Sequence, residues 1–205
     1  MSSVSLRSVA FLSVVLGSLT VAVSSVSAAE TTPSPAEQEF LAVLQSDAPE
    51  ADKALACKKL AVHGTAAAVP DLAKLLSNEH LASWARIALE AIPGSASDEA
   101  LRTAAGSLDG LLLVGVVNSI GVRRDADSLE VLSGLMTKDD PLVASCAAVA
   151  IGRIGNEAAT AKLRDSLASA PDGVKSAVAE GCVLCAERAL ADGRTAEAIE
   201  IYDQV

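Results

Sequence analysis

Ile151-Gly152-Arg153-Ile154-Gly155-Asn156-Glu157-Ala158-Ala159-Thr160-Ala161-Lys162-Leu163 places an isoleucine and a leucine 12 residues apart across a Gly-Asn turn. The same offset recurs upstream in the pairs Leu60/Leu72, Leu89/Leu101 and Ile120/Leu132, and the units begin 29, 31 and 31 residues apart. A constant internal offset within a unit of about 30 residues is the mark of two short helices per repeat, each too small to bury its apolar side alone. The pattern predicts an all-α, right-handed α-solenoid over 35–205, about five helix pairs behind an N-terminal capping helix.

Turn chemistry divides the units. Ser34-Pro35-Ala36-Glu37 reads as a helix start, with Ser34 as the cap, Pro35 in the first turn and Glu37 closing a capping box. Phe40, Leu41 and Leu44 are the expected buried stripe of that helix. Asp47-Ala48-Pro49-Glu50 opens repeat one, whose first (A) helix is expected to turn Leu55, Ala56 and Leu60 inward and to stop at Gly64. Its second (B) helix carries Leu72, Leu75 and Leu76, with Pro70 in its first turns, where a missing N–H is tolerated. Pro93-Gly94, Arg124-Asp125 and Gly155-Asn156 mark the inter-helix turns of repeats two to four, and Asp140-Pro141 opens repeat four. Ala56, Ala85, Val116 and Ala147 lie four residues before the A-helix anchors and let neighbouring helices approach. The fifth unit differs: a turn-rich Ser169 to Gly173, a longer helix over Val174 to Leu190, then a helix over Ala196 to Val205. Ile199, Ile201 and Val205 leave that end poorly capped, so either the last helix closes the solenoid or, the favoured reading, the chain is a segment of something longer.

Composition agrees with thin, locally packed layers. Hydrophobic residues make up 51% of the 205 and aromatics 2%, so large rings cannot supply the core. Formal net charge is −10 and no basic block is present, which argues against nucleic acid as a partner. Arg7, the apolar run Val9 to Val23 and Val26-Ser27-Ala28 read as a signal peptide over 1–28, cleaved before Ala29 or one residue later. An uncleaved anchor is the other reading. Residues 29–34 form a short linker, no later segment is apolar enough to span a bilayer, and the mature chain is expected to be periplasmic or secreted.

Leu60-Ala61-Val62-His63-Gly64 leading to Val69-Pro70-Asp71-Leu72, and Ile151-Gly152-Arg153-Ile154-Gly155 leading to Ala161-Lys162-Leu163, resemble the short bacterial HEAT-like repeats named for phycobilisome lyases. The resemblance covers about Asp52 to Ala168. With Asn118-Ser119-Ile120-Gly121-Val122-Arg123-Arg124-Asp125, it is similar to exported HEAT-repeat proteins of Planctomycetes-type bacteria. In unit five, Ala186, Gly193, Ala198 and Tyr202 resemble a tetratricopeptide pair. The resemblance implies a helical solenoid that presents a surface, and Arg–Asp bonding between adjacent repeats at the turns.

Chemistry-bearing residues mostly fall on packing positions. Cys182 and Cys185 form the one C-x-x-C; mid-helix in a helical array it lacks the helix-start position that activates a thiol, and the two histidines are too far away in sequence to complete a zinc site. Buried packing is the favoured reading of these cysteines, a disulfide or a redox or metal role the alternatives. His63 is expected to be a partly buried packing residue and His80 to face solvent. Arg123, Arg124 and Asp125 form either a structural ladder or an anion spot at a helix start; Arg86 and Arg153 are expected to be ladder members or solvated. No hydrolase, metalloprotease or phosphate-loop motif is present. The expectation is a non-catalytic scaffold with no cofactor and no metal, binding a protein or peptide through a concave face made by B helices, with Lys74, Arg102 and Arg164 as its contact residues. The alternative is an accessory module of a larger exported enzyme.

Overall fold

The computed structural model describes residues 32–205; the signal-peptide reading over 1–28 and the first half of the linker, 29–31, lie outside the described residues. Eleven α-helices account for nearly all regular structure described: α1 Pro35–Gln45, α2 Glu50–His63, α3 Val69–Lys74, α4 Ala82–Ala91, α5 Ser95–Ala105, α6 Gly110–Arg123, α7 Leu129–Leu135, α8 Pro141–Ile154, α9 Glu157–Leu167, α10 Asp172–Ala191 and α11 Thr195–Tyr202. Short 3₁₀ turns lead into α3 and α7 and close α3. The fold is an all-α solenoid in which α1 covers the first of five helix pairs. The A helices α2, α4, α6, α8 and α10 stack in sequence as one row, and the B helices form the other.

All eight repeat anchors are sealed from solvent: Leu60, Leu89, Ile120 and Ile151 on the A helices, Leu72, Leu101, Leu132 and Leu163 on the B helices, each 0% exposed. Burying such a side chain is worth about 1.5–3 kcal/mol, so the repeat spacing locates the core itself.

The helix starts follow the capping rules. Asp140 accepts from the Leu142 and Val143 N–H groups at 2.9 and 3.2 Å, with Pro141 in the first turn, and Asn156 accepts from the Ala159 N–H at 2.8 Å. Gly155 ends α8 in the left-handed region at φ 60°, and Arg124 ends α6 there at φ 56°. The equivalent position thus carries glycine in one repeat and a strained arginine in another.

Three local expectations are corrected. Leu55 does not face inward; it is 53% exposed, because α2 turns Ala56, Cys57 and Leu60 to its neighbours and the residue before Ala56 points away. The capping box at α1 is only half formed. Ser34 Oγ accepts from the Glu37 N–H at 3.1 Å, but the Glu37 side chain, fully buried, turns into the next repeat and accepts from the Thr65 N–H at 2.8 Å and hydroxyl at 2.9 Å. A loop N–H in the interior offers a better partner than a solvated cap. At the far end, α11 stops at Tyr202 and buries Ile201, leaving Ile199 and Val205 exposed.

Candidate interaction surface

Two crossings of the A row, α6 on α8 and α8 on α10, are held at backbone distance. A Cβ placed on Gly152 in α8 would lie 2.5 Å from the Gly181 Cα of α10, and one on Gly121 in α6 would lie 2.9 Å from the Ala150 Cα. Alanine and glycine at these crossings let consecutive A helices touch. The B row is looser than these two crossings, although a cleft of about 540 Å³ also opens between the A helices α4 and α6, beside Arg86 and Leu111. A groove of about 460 Å³ separates α3 from α5, lined by Val69, Ala73, Leu76, Ala100, Ala104 and Lys74 among others. Another of about 650 Å³ lies between α9 and α11, lined by Thr160, Arg164, Arg194 and Glu197 among others.

The Arg123-Arg124-Asp125 cluster splits three ways. Arg123 turns back into repeat two, where its guanidinium donates to the carbonyls of Leu89 (2.8 Å), Ile92 (2.7 Å), Glu90 (3.2 Å) and Gly94 (2.9 Å) and pairs with Asp98. It occupies the orphan carbonyls at the end of α4. Asp125 pairs with Arg102, accepts from the Ser128 hydroxyl, and caps the following turn by accepting from the Asp127 N–H at 3.2 Å. The anion at this helix start is the protein's own carboxylate. Arg124 is exposed, set outward by its left-handed backbone.

Two further arginines cross between A helices. Arg86 in α4 donates to the Gly115 carbonyl at 3.1 Å and to Ser119 Oγ at 3.2 Å; the buried Ser119 hydroxyl lies 2.6 Å from Glu90 Oε1. Arg153 in α8 donates to Asn118 Oδ1 at 2.5 Å. Arg86 and Arg153 are ladder members, one of the two roles expected of them; the Ser119–Glu90 and Glu37–Thr65 bonds escape sequence reasoning. Their one signal is a polar residue on the inward stripe of an apolar helix.

Of the residues expected to meet a partner, Lys74 is exposed and pairs with Asp71 at 2.7 Å. Arg164 donates to Gln204 Oε1 at 2.7 Å. Arg102 is committed to Asp125 and mostly covered, so it is a poor contact residue. Cys57, Cys182 and Cys185 are buried free thiols, and Cys146 is half-buried. Burial pushes the thiols of Cys57 and Cys182 up to about 11, and that of Cys182 is raised further by Cys185 beside it. Cys146 is also raised by burial, against the nearby Arg153 and Arg86. His63 is exposed rather than partly buried, and its ring stacks on Phe40 at 6.2 Å. No metal-binding group of His, Cys, Asp and Glu occurs among the described residues, and no helix among them is long and apolar enough to cross a membrane.

The large exposed apolar side chains are unevenly distributed. Leu55, Val62, Trp84, Ile87, Leu111, Val122 and Leu142 all stand on A helices, whereas α3, α5, α7 and α9 carry none. Acidic residues do not separate the rows: α6 and α8 contain no carboxylate, but α2, α4 and α10 of the same row do, as do α3, α5, α7 and α9.

Stacked helix pairs with inter-repeat arginine bonds define an α-solenoid. Residues 99–181 match the family described as HEAT repeats, which supports a HEAT-like repeat protein. The chain is also similar to a crystal structure described as an engineered protein, at 21% identity over 80% of this chain and 87% of that one, with a TM-score of 0.45. No curated protein matches it.

Proposed function

We propose that this chain is an exported, non-catalytic scaffold that holds a protein or peptide partner against its B row. Solenoids use their extended surfaces in this way, and HEAT repeats suggest a protein partner. The observation that carries the reading is the pair of grooves between successive B helices, each rimmed by a cation singled out from the sequence: Lys74 beside the groove of α3 and α5, Arg164 beside that of α9 and α11. The first groove has an apolar floor and a polar rim, the arrangement that seats a side chain of a bound peptide while fixing its direction. The export signal over 1–28 supports a periplasmic or secreted place of action.

A displayed peptide library panned on the purified chain tests this. Ala100→Arg, which fills the floor of the first groove, is expected to abolish capture of the selected peptides, and Trp84→Ala on the A row to leave it intact. Failure to select any peptide, or equal capture by Ala100→Arg, overturns the reading. N-terminal sequencing of the protein recovered outside the cytoplasm tests export; residues 1–28 still attached there would count against it.

A further inference from the structure

The groove between α3 and α5 has a counterpart two repeats further along the B row. A cavity of about 440 Å³ lies where α7 and α9 run into the connectors that follow them, lined by Met136, Thr137, Ser166, Ser169, Ala170 and Val178 among others. The two grooves occupy equivalent places in the repeat. Four residues past the buried anchor leucine, Leu76 lines the first and Met136 the second; across the groove, Ala104 and Ser166 stand three past theirs, and Ser107 and Ser169 six past. The residue three past the anchor alternates in size along the row: Leu75, Ala104, Leu135, Ser166. A small side chain there leaves room in front of α5 and of α9. Between them, α7 carries the buried Leu135, and the turn that leads into it is tied to α5 through the Arg102–Asp125 pair.

Each groove has an apolar floor and a rim with one charge of each sign, Lys74 and Glu99 at the first, Lys138 and Asp139 at the second. That balance suits an uncharged side chain. The rim hydroxyls spend their protons on nearby carbonyls: Ser107 donates to that of Ala104 at 3.3 Å, Thr137 to that of Gly134 at 2.8 Å and Ser166 to that of Lys162 at 2.8 Å. Each oxygen keeps acceptor capacity for a backbone N–H. Between the grooves the surface is low, with Gly106 and Gly134 exposed; a Cβ on Gly134 would meet nothing within 4 Å, and one on Gly106 only the Thr103 carbonyl at 3.5 Å. Given the B-row partner, on which this inference rests, we propose that one extended segment of that partner crosses α5 and α7 and sets two apolar side chains, about six residues apart, one in each groove. Neighbouring helices pack about 10 Å apart, so two steps of the row span about 20 Å, and an extended chain advances about 3.3 Å per residue. The parity of the spacing matters: residues i and i+6 of an extended chain point to the same side, whereas i and i+5 point to opposite sides.

Methyl NMR with synthetic peptides is the test. The chain has two methionines, Met1 and Met136, so isotope labelling of the methionine methyls places a reporter in the second groove, assigned with Met136→Leu. The probes are end-capped peptides of Ser and Thr that carry one leucine, or two leucines at a series of spacings. The i, i+6 peptide is expected to shift the Met136 signal and to bind about tenfold more tightly than the single-leucine peptide, and the i, i+5 peptide to show no gain. Ser169→Trp, at an exposed rim position, and Ala100→Arg are each expected to bring the i, i+6 peptide down to the single-leucine affinity. A Met136 signal unmoved by every peptide overturns the proposal. So does an affinity gain that ignores spacing, or one that survives Ser169→Trp in a chain with unchanged helical circular dichroism. Loss of the panned peptides on Ala100→Arg with Met136 silent would leave the B-row partner standing and remove the two-groove segment alone.

Discussion

The two rows of this solenoid share one core but solve packing differently. From α6 to α10 the A helices meet through glycine and alanine, backbone against backbone, while α4 and α6 are bridged by Arg86 beside a cleft, and the A helices keep large apolar side chains for their outer face. B helices stand further apart, leave grooves, and dress their outside with charge. The difference teaches that the A row sets the spacing of the repeats, while the B row is free to vary in sequence without moving its neighbours.

The same substitution should then have opposite signs in the two rows. Gly152→Ala adds a methyl that collides with Gly181, and overpacking at a rigid crossing costs about 3 kcal/mol. Gly134→Ala in α7 adds one that meets nothing within 4 Å; by removing a flexible residue from a helix it should stabilise the fold by about 0.5–1 kcal/mol. Urea unfolding of both variants measures the contrast. Loss of stability in Gly134→Ala, or tolerance of Gly152→Ala, would break the distinction between a close row and an open one.

The adjacent arginines at the end of α6 sharpen it. Arg123 ties this repeat to the end of α4 through four carbonyls and Asp98. Arg123→Ala leaves buried acceptors unmet and should cost about 2–4 kcal/mol; Arg123→Lys keeps the charge but not the fork and should recover less than half. Arg124 sits where repeat four has Gly155. Arg124→Gly relieves a left-handed residue and should add up to about 1 kcal/mol. Thermal unfolding of the three variants is the measurement. Equal effects at 123 and 124 would mean that the pair acts only as a patch of charge.

The core was legible because periodicity reports burial directly: the eight anchors at their offset of 12 are all fully covered. Turns were legible where Gly, Pro or a capping side chain imposes its own geometry, as at Asp140-Pro141 and Gly155-Asn156. Bonds between repeats were legible in kind but not in address. The Arg–Asp bonding implied at the turn is present, yet nothing local says that Arg123 reaches back to α4 while Asp125 reaches Arg102. Glu37 shows why: two acceptable partners compete for one carboxylate, and the winner lies 28 residues away. Leu55 went wrong for a related reason. Helical spacing gives an apolar stripe its width but not its edge, and an outer face that is itself apolar erases the contrast that would mark that edge.

The smallest effect belongs to the B-row surface. Lys74 and Asp71 pair one turn apart on α3, with the lysine 74% exposed and the aspartate side chain 13%. An exposed pair of this kind is worth no more than about 0.5 kcal/mol. Burial alone would raise the Asp71 carboxyl; the hydrogen bonds from Lys74 and Gln45 outweigh it and hold the group below its ordinary value of 3.8. A folded-state pKa below the unfolded one gives stability that is present above the unfolded value and disappears as pH falls through the folded one. Lys74→Ala should therefore lower stability slightly at neutral pH, make almost no difference once Asp71 is protonated, and move the Asp71 midpoint upward in a carboxyl NMR titration. The bond from Gln45 at 2.7 Å remains in that variant and keeps α1 attached to α3. If Lys74→Ala instead costs as much as Arg123→Ala, the B row is not a lightly bonded surface, and its grooves would be part of the framework rather than places for a partner.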